Sequence, residues 1–161
     1  MRQLYGRICF DQESSINFNL SLIQECLSES EDMDGALVCD FALFKYFYQL
    51  EQRRQQRSGQ PAYLGLFTLT FPDYQKSSRE KLQQGMDYLQ GIMKENLRKG
   101  DIICRSHESQ FLVILADLDA NQSLKVLARL DKMFTENFPN PDIRLHRKLQ
   151  LIAPAKEHCL Q

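Results

Sequence analysis

The sequence predicts an α+β domain whose elements follow the order β-α-β-β-α-β after a helical N-terminal extension. Three patterns support this prediction. The run AYLGLFTLTF at residues 62–71 is apolar and rich in β-forming residues. Residues 82–97 and 124–138 place leucine, methionine and phenylalanine at steps of three and four. The apolar runs at 101–105 and 110–116 are joined by a short polar turn, which is typical of a β-hairpin.

The composition fits one globular domain. At 161 residues the chain is long enough to bury a core, and 43% hydrophobic with 25% charged residues is ordinary. The formal net charge of −1 gives no overall attraction to nucleic acid or to an anionic membrane. No apolar run approaches the roughly 20 residues of a membrane span. The five cysteines form no CxxC pair, so neither disulfides nor a zinc site is favoured. We therefore expect a cytoplasmic protein.

Residues 1–34 are predicted to be an N-terminal extension, and residues 35–161 to form the domain. Residues 17–27 show the helical spacing of leucine and isoleucine, and the acidic stretch SESEDMD at 28–34 is predicted to be a solvated loop. Residues 35–39 form a short apolar run that favours an extended conformation. The domain therefore begins with a short extended segment after an acidic connection.

A helix is predicted after Asp40, whose carboxylate can cap the first turn. The first half of this helix carries apolar residues on one wide face, whereas its far end, EQRRQQR at 51–57, is polar all round. Arg53, Arg54 and Arg57 have the charge to contact phosphates. No aromatic residues are interleaved with them, as they are in platforms for single-stranded nucleic acid, so we predict a solvated helix face.

Right-handed crossovers convert this element order into a ferredoxin-like, four-stranded antiparallel sheet in the spatial order 4-1-3-2, with helices on one face. That order puts the runs 62–71 and 110–116 at the centre of the sheet, and these are its two most apolar runs. The predicted edge strands at 101–105 and 143–151 carry charged residues, as edge strands commonly do. Residue pattern and topology thus agree.

The hairpin also carries a family resemblance. The run HESQF at 107–111, preceded by Arg105, resembles the signature of the GGDEF domains, the diguanylate cyclase family, in which an arginine precedes Gly-Gly-Asp/Glu-Glu-Phe. Only the phenylalanine is shared. The resemblance implies a nucleotide-cyclase-type core whose signature is degenerate.

The same resemblance implies where the chemistry of the family would lie. Family members hold divalent metal against a triphosphate with an aspartate at the end of the first strand and an acid at the third signature position. Here Thr68 and Thr70 stand at the first-strand positions, Ser109 stands at the signature position, and Gln110 replaces the glutamate of the family. Glu108 is the only acid in the turn. These replacements predict no catalytic residue, no metal, no cofactor and no enzymatic activity.

Arg98-Lys99-Gly100-Asp101 matches the RxxD motif of the inhibitory site in this family. In such sites the arginine clamps phosphate or guanine of cyclic di-GMP, and the aspartate accepts a hydrogen bond from a guanine edge. The other interpretation is structural, a basic helix end followed by an acid that opens a strand. Arg98 and Asp101 are therefore candidate ligand-binding residues, with both interpretations open.

A second resemblance covers about residues 18–152. The runs GALVCDF at 35–41, LFTLT at 66–70 and the stretch 98–111 are together similar to the C-terminal region of bacterial transcriptional regulators that carry a bacterial transcriptional activation domain, the SARP-like group. Such regulators have a winged-helix unit and a helical-repeat domain upstream. Residues 1–5 are therefore expected to be the tail of the helical-repeat domain, and the chain is expected to be a piece of a longer regulator.

The second resemblance implies a non-catalytic regulatory or interaction domain. Its partners would be other domains of the same regulator or a second copy, with no direct contact to nucleic acid and none to a membrane. The alternative is a receptor for cyclic di-GMP or another phosphate ligand through the RxxD site.

Overall fold

The structure, a computed structural model, describes residues 19–29, 33–72 and 78–154. The chain divides into two compact units, residues 1–33 and 34–161. In the first unit, helix α1 spans Leu20–Leu27, and the side chain of Asn19 accepts a hydrogen bond from the backbone N–H of Ser21. Cys26 is disulfide-bonded, so the expectation that the cysteines form no disulfide is wrong at this position. The predictions for residues 1–18 lie outside the described residues.

The described part of the second unit contains five strands and three helices. Their bounds are β1 Leu37–Cys39, α2 Phe41–Ser58, β2 Ala62–Thr70, α3 Ser78–Asn96, β3 Ile102–His107, β4 Gln110–Ala116, α4 Ala120–Asn137 and β5 Arg144–Leu151. The spatial order is β1-β3-β4-β2-β5, and the pairs β3–β4, β4–β2 and β2–β5 are antiparallel. The predicted order of the four core strands, 4-1-3-2, is therefore confirmed.

One edge of the sheet differs from the prediction. β1 pairs in parallel with β3, with Leu37 opposite Ile102 and Cys39 opposite Cys104, so the sheet is mixed and β3 is not an edge strand. Three residues are too short to show the alternation that identifies a strand from sequence. Gly35 has a φ of +78°, and a Cβ there would overlap the carbonyl oxygen of Lys94, so glycine is required where the chain enters β1.

The larger core lies between the sheet and helices α3 and α4. The predicted apolar stripe follows α3 and ends one residue beyond it, and all of its members are buried: Leu82, Met86, Leu89, Met93 and Leu97. A capping box begins α4, because Asp119 accepts from the backbone N–H of Gln122 and the Gln122 side chain accepts from the backbone N–H of Asp119. The apolar run at 124–138 predicts a buried stripe on this helix, but Leu124, its first residue, is exposed.

Helix α2 covers the opposite face of the sheet. Asp40 caps it as predicted, accepting from the backbone N–H of Leu43 at 2.9 Å. Phe44 is buried against a second cluster that includes Cys104 and Ile114. The helix ends at Gly59, whose φ of +68° is typical of a C-terminal cap. Among the described residues, no helix combines the length and the hydropathy that crossing a membrane requires.

Candidate functional site

The residues singled out from the sequence lie at the two ends of β3. At the hairpin end, the sheet register places Thr68 between Gln110 of β4 and His146 of β5. The backbone N–H of Leu69 donates to the carbonyl oxygen of Ser109 at 2.9 Å, which ties the end of β2 to the hairpin turn. The structure therefore brings Thr68, Ser109 and Gln110 to one end of the sheet.

The side chains at this end contact one another. Gln110 Nε2 donates to Thr68 Oγ1 at 3.4 Å. Thr70 Oγ1 and His146 Nε2 are 2.9 Å apart, which is a hydrogen bond. No local pattern indicates that His146 belongs here, because its place depends on the register between β2 and β5. Both threonine hydroxyls are thus within hydrogen-bond distance of neighbouring side chains.

Two arginines contact Glu108, the single acid of the turn, one at its carboxylate and one at its backbone carbonyl. Arg79 donates to Glu108 Oε1 at 2.8 Å, and the two side chains are 73% and 57% exposed. Arg105 donates to the carbonyl oxygen of Glu108 at 3.1 Å and to Gln83 Oε1 at 2.8 Å. Arg105 also lies 3.7 Å from Asp87 Oδ1. Arg79, Gln83 and Asp87 follow steps of four along α3 and form a polar stripe that was not predicted from the sequence.

A cavity of about 290 Å³ opens beside the turn. Its walls include the apolar residues Leu69, Phe71 and Leu82, and its rim includes hydroxyl, imidazole and carboxylate groups from Thr70, Ser109, His107 and Glu108. Within the ranges that the structure describes, no three His, Cys, Asp or Glu side chains are grouped so that they could hold a metal ion. The cavity therefore offers apolar contact together with hydroxyl, imidazole and carboxylate groups.

At the other end of β3, Arg98 and Asp101 form a turn. The backbone N–H of Arg98 donates to Asp101 Oδ2 at 2.9 Å, and its guanidinium lies 3.6 Å from Oδ1. The guanidinium also donates to the carbonyl oxygen of Ala116 at 2.8 Å, which links the start of β3 to the end of β4. The carboxylate is 2% exposed and the arginine side chain 56%. The two RxxD residues are therefore together, bound to each other and to the sheet.

Burial has the largest effect on the pKa of the Asp101 carboxyl group. It raises the pKa of Asp101 above the ordinary value, and the hydrogen bonds and charge of Arg98 oppose the rise only in part. The contacts that this turn makes support the fold, and a ligand-binding role for Arg98 and Asp101 stays a prediction.

The fold matches that of solved diguanylate cyclases. No family model and no curated protein sequence matches the chain. The active GGEEF domain of a diguanylate cyclase from Vibrio cholerae is 12% identical, with a TM-score of 0.59 over 74% of this chain and 77% of that one. The diguanylate cyclase SiaD of Pseudomonas aeruginosa, solved with its activator SiaC, is 15% identical, with a TM-score of 0.60 over 94% of this chain and 57% of that one.

A third similar structure is the GGDEF domain of DgcB from Caulobacter crescentus, solved in complex with c-di-GMP. It is 10% identical, with a TM-score of 0.57 over 77% of this chain and 79% of that one. At these identities the likeness shows the fold, and the chain has the GGDEF cyclase fold.

The comparisons contradict the prediction that the chain is not an enzyme. Two of the three similar structures are diguanylate cyclases, and one of these two is an active GGEEF domain. The prediction relied on Thr68 and Ser109 standing where the family places acids. Side chains at two positions are a weak basis for excluding an activity, because other elements can supply groups once the chain is folded, as β5 supplies His146 and α3 supplies Arg79.

Proposed function

We propose that this chain is a regulatory and interaction domain of a bacterial transcriptional regulator, built on the GGDEF cyclase fold. The main support for this proposal is that the polar side chains at the hairpin end of β3 contact one another. Thr70 is bound to His146, Gln110 to Thr68 and Glu108 to Arg79. The similarity of residues 18–152 to the SARP-like group supplies the regulator context.

The charges at this end of the sheet support a role in binding other protein surfaces. Glu108 is balanced by Arg79, and Arg105 is shared among Gln83, Asp87 and the turn. Exposed ion pairs are weak, so breaking one costs little free energy. These side chains can therefore leave their present partners and bind the surface of another protein. SiaD, solved in complex with its activator, has the same fold.

Promoter occupancy tests the regulator context. The gene that contains this chain is tagged at its chromosomal locus, and the DNA that crosslinks to the product is sequenced. We expect enrichment at a defined set of promoters. A strain that carries the tag on an unrelated protein of similar abundance is the control. Enrichment no greater than in that control contradicts the proposal.

The second candidate is a receptor for cyclic di-GMP or another phosphate ligand through Arg98 and Asp101. The observation that favours it is that the Arg98 side chain is more than half exposed although its guanidinium donates to the carbonyl oxygen of Ala116. Guanidinium groups bind phosphate through paired hydrogen bonds. Asp101 would act chiefly by positioning that arginine.

Calorimetric titration of the folded chain with cyclic di-GMP tests the receptor function. Binding that is lost in Arg98→Ala and retained in Arg144→Ala supports it, since Arg144 is exposed on β5 and makes no ion pair within the described ranges. Circular dichroism of both variants verifies that they are folded. Absence of heat at high micromolar ligand rejects the receptor function. The same preparation is incubated with GTP and Mg²⁺, and formation of cyclic di-GMP would assign cyclase activity to the chain.

A further inference from the structure

The two sides of α2 differ in a way that the sequence did not predict. The pattern placed Leu43, Phe44, Phe47 and Leu50 on one wide face, but only the two phenylalanines pack toward the sheet. Leu43, Tyr46 and Leu50 point outward and are 46%, 71% and 52% exposed. An apolar line on a helix surface, with its other side already packed, is a typical feature of an interaction site.

The exposed residues have the spacing of a helix-packing seam. Leu43, Tyr46, Leu50, Arg53 and Arg57 are separated by steps of three, four, three and four. We call these five residues the outer stripe. Steps of three and four place residues at the a and d positions of successive heptads, where they contact a second helix. The stripe therefore has an apolar half and a basic half along one line.

The basic half lacks counter-charges. Arg53 and Arg57 are exposed, and neither has an ion pair among the residues that the structure describes. Arg54, beside the stripe, differs: it is 2.8 Å from Glu51 Oε1 and 3.9 Å from Asp117 Oδ1. A cavity of about 560 Å³ opens at this end of α2 and is lined by Leu50, the three arginines, Ser58 and Gln60. Two unbalanced guanidinium groups beside an open cavity favour carboxylate partners.

We propose that the outer stripe docks an acidic amphipathic helix of another polypeptide, with apolar residues against Leu43, Tyr46 and Leu50 and carboxylates against Arg53 and Arg57. The proposal rests on the proposed interaction role and names the chemistry of the partner. A second copy of the stripe fits poorly, because the stripe contains no acid. Parallel pairing would set arginine against arginine, and antiparallel pairing would set arginine against leucine and tyrosine.

Two synthetic peptides serve as probes. Both are helical and about three heptads long, with leucine at the a and d positions of the first two heptads. One has glutamate at the a and d positions of the third heptad and the other has lysine. Fluorescence anisotropy with the purified chain measures their affinities. We expect the glutamate peptide to bind at least about ten-fold more tightly than the lysine peptide.

Substitutions on the stripe then assign the binding surface. The double variant Arg53→Glu with Arg57→Glu is expected to reverse the preference between the peptides, and Leu50→Asp to abolish binding of both. Arg144→Glu is the matched control on β5 and is expected to leave both affinities unchanged. Circular dichroism checks that each variant is folded, and Phe44, which packs inward, is left unaltered.

Equal affinities for the two peptides, or no binding at high micromolar chain, overturn the proposal. Sedimentation of the unliganded chain provides a further test, because a dimer that Leu50→Asp dissociates would assign the stripe to a second copy instead. Promoter occupancy is measured on the gene product in cells, whereas this test uses the purified chain. The docking inference and the regulatory function can therefore fail separately.

Discussion

The two ends of β3 each hold an arginine–carboxylate pair, and the two pairs differ mainly in burial. At the hairpin end, Arg79 and Glu108 are both exposed and 2.8 Å apart. At the other end, Asp101 is buried, is contacted by the backbone and the guanidinium of Arg98, and lies in a turn fixed to Ala116. A motif match alone cannot separate these cases.

Burial decides what each pair contributes. Removing a buried acceptor leaves its donor without a partner in a place that water reaches poorly, and this costs more than the hydrogen bond itself contributes. An exposed pair exchanges its contacts for water with little change in free energy. The Arg98–Asp101 end should therefore stabilise the fold, whereas the Arg79–Glu108 end should contribute little to stability and be free to contact partners.

The largest effect is expected for Asp101→Ala. The substitution removes the acceptor of the Arg98 backbone N–H, and we expect a loss of about 2 kcal/mol in the free energy of unfolding. Urea denaturation followed by circular dichroism measures the loss. A cost below about 0.5 kcal/mol would show that this turn is as weakly held as an exposed pair.

A smaller loss is expected for Arg98→Met. The methionine keeps much of the aliphatic packing but removes the hydrogen bond to the carbonyl oxygen of Ala116, and we expect a cost of about 1 kcal/mol. Arg144→Met, at an exposed site on β5, is the control and should change the free energy of unfolding by less than about 0.5 kcal/mol. Equal effects of the two substitutions would show that the bond from Arg98 to Ala116 contributes no more to stability than an exposed arginine does.

The pH dependence of stability tests the burial of Asp101. Because burial raises its pKa above the ordinary value of 3.8, the folded chain keeps the proton in a pH range in which the unfolded chain has released it. The unfolded state then binds fewer protons, so stability falls as pH rises through that range. Asp101→Asn removes this titration.

The free energies of unfolding of the parent and of Asp101→Asn are compared from about pH 3.5 to 6.5. We expect the parent to lose stability relative to the variant as the pH rises. The opposite slope would mean that the charge of Arg98 outweighs burial.

The smallest effect is expected at the exposed end. Glu108→Gln keeps the size of the side chain and removes its charge, so the ion pair with Arg79 is lost, and we expect a change of less than about 0.5 kcal/mol in the free energy of unfolding. The same denaturation measurement is used. A cost near that of Asp101→Ala would show that the hairpin turn also depends on its ion pair.

Local periodicity was enough to predict most of the fold. The stripe of α3 and the hairpin each follow from spacing within one segment, and the strand order follows from the crossover rule. Phe111, the residue shared with the GGDEF signature, is fully buried, so the part of the signature that remains is the part that packs. The short β1 could not be predicted, because its pairing with β3 is a long-range contact and its sequence shows no alternation.

The candidate site was less predictable from the sequence. Thr68, Ser109 and Gln110 lie at one end of the sheet because strand register fixes them there. The contacts of Thr70 with His146 and of Glu108 with Arg79 join residues 76 and 29 positions apart, and no local pattern indicates such pairs. The outward orientation of Leu43 and Leu50 on α2 depends on which side of the helix the sheet covers.

The regulatory role is tested most directly by the transcripts of a host strain whose chromosomal gene lacks the codons for residues 34–161. The tagged product is quantified by immunoblot so that the parent and deletion strains are compared at equal protein level. The proposed function predicts that a defined set of transcripts changes while the product still occupies their promoters. Transcripts that remain the same in both strains would contradict it.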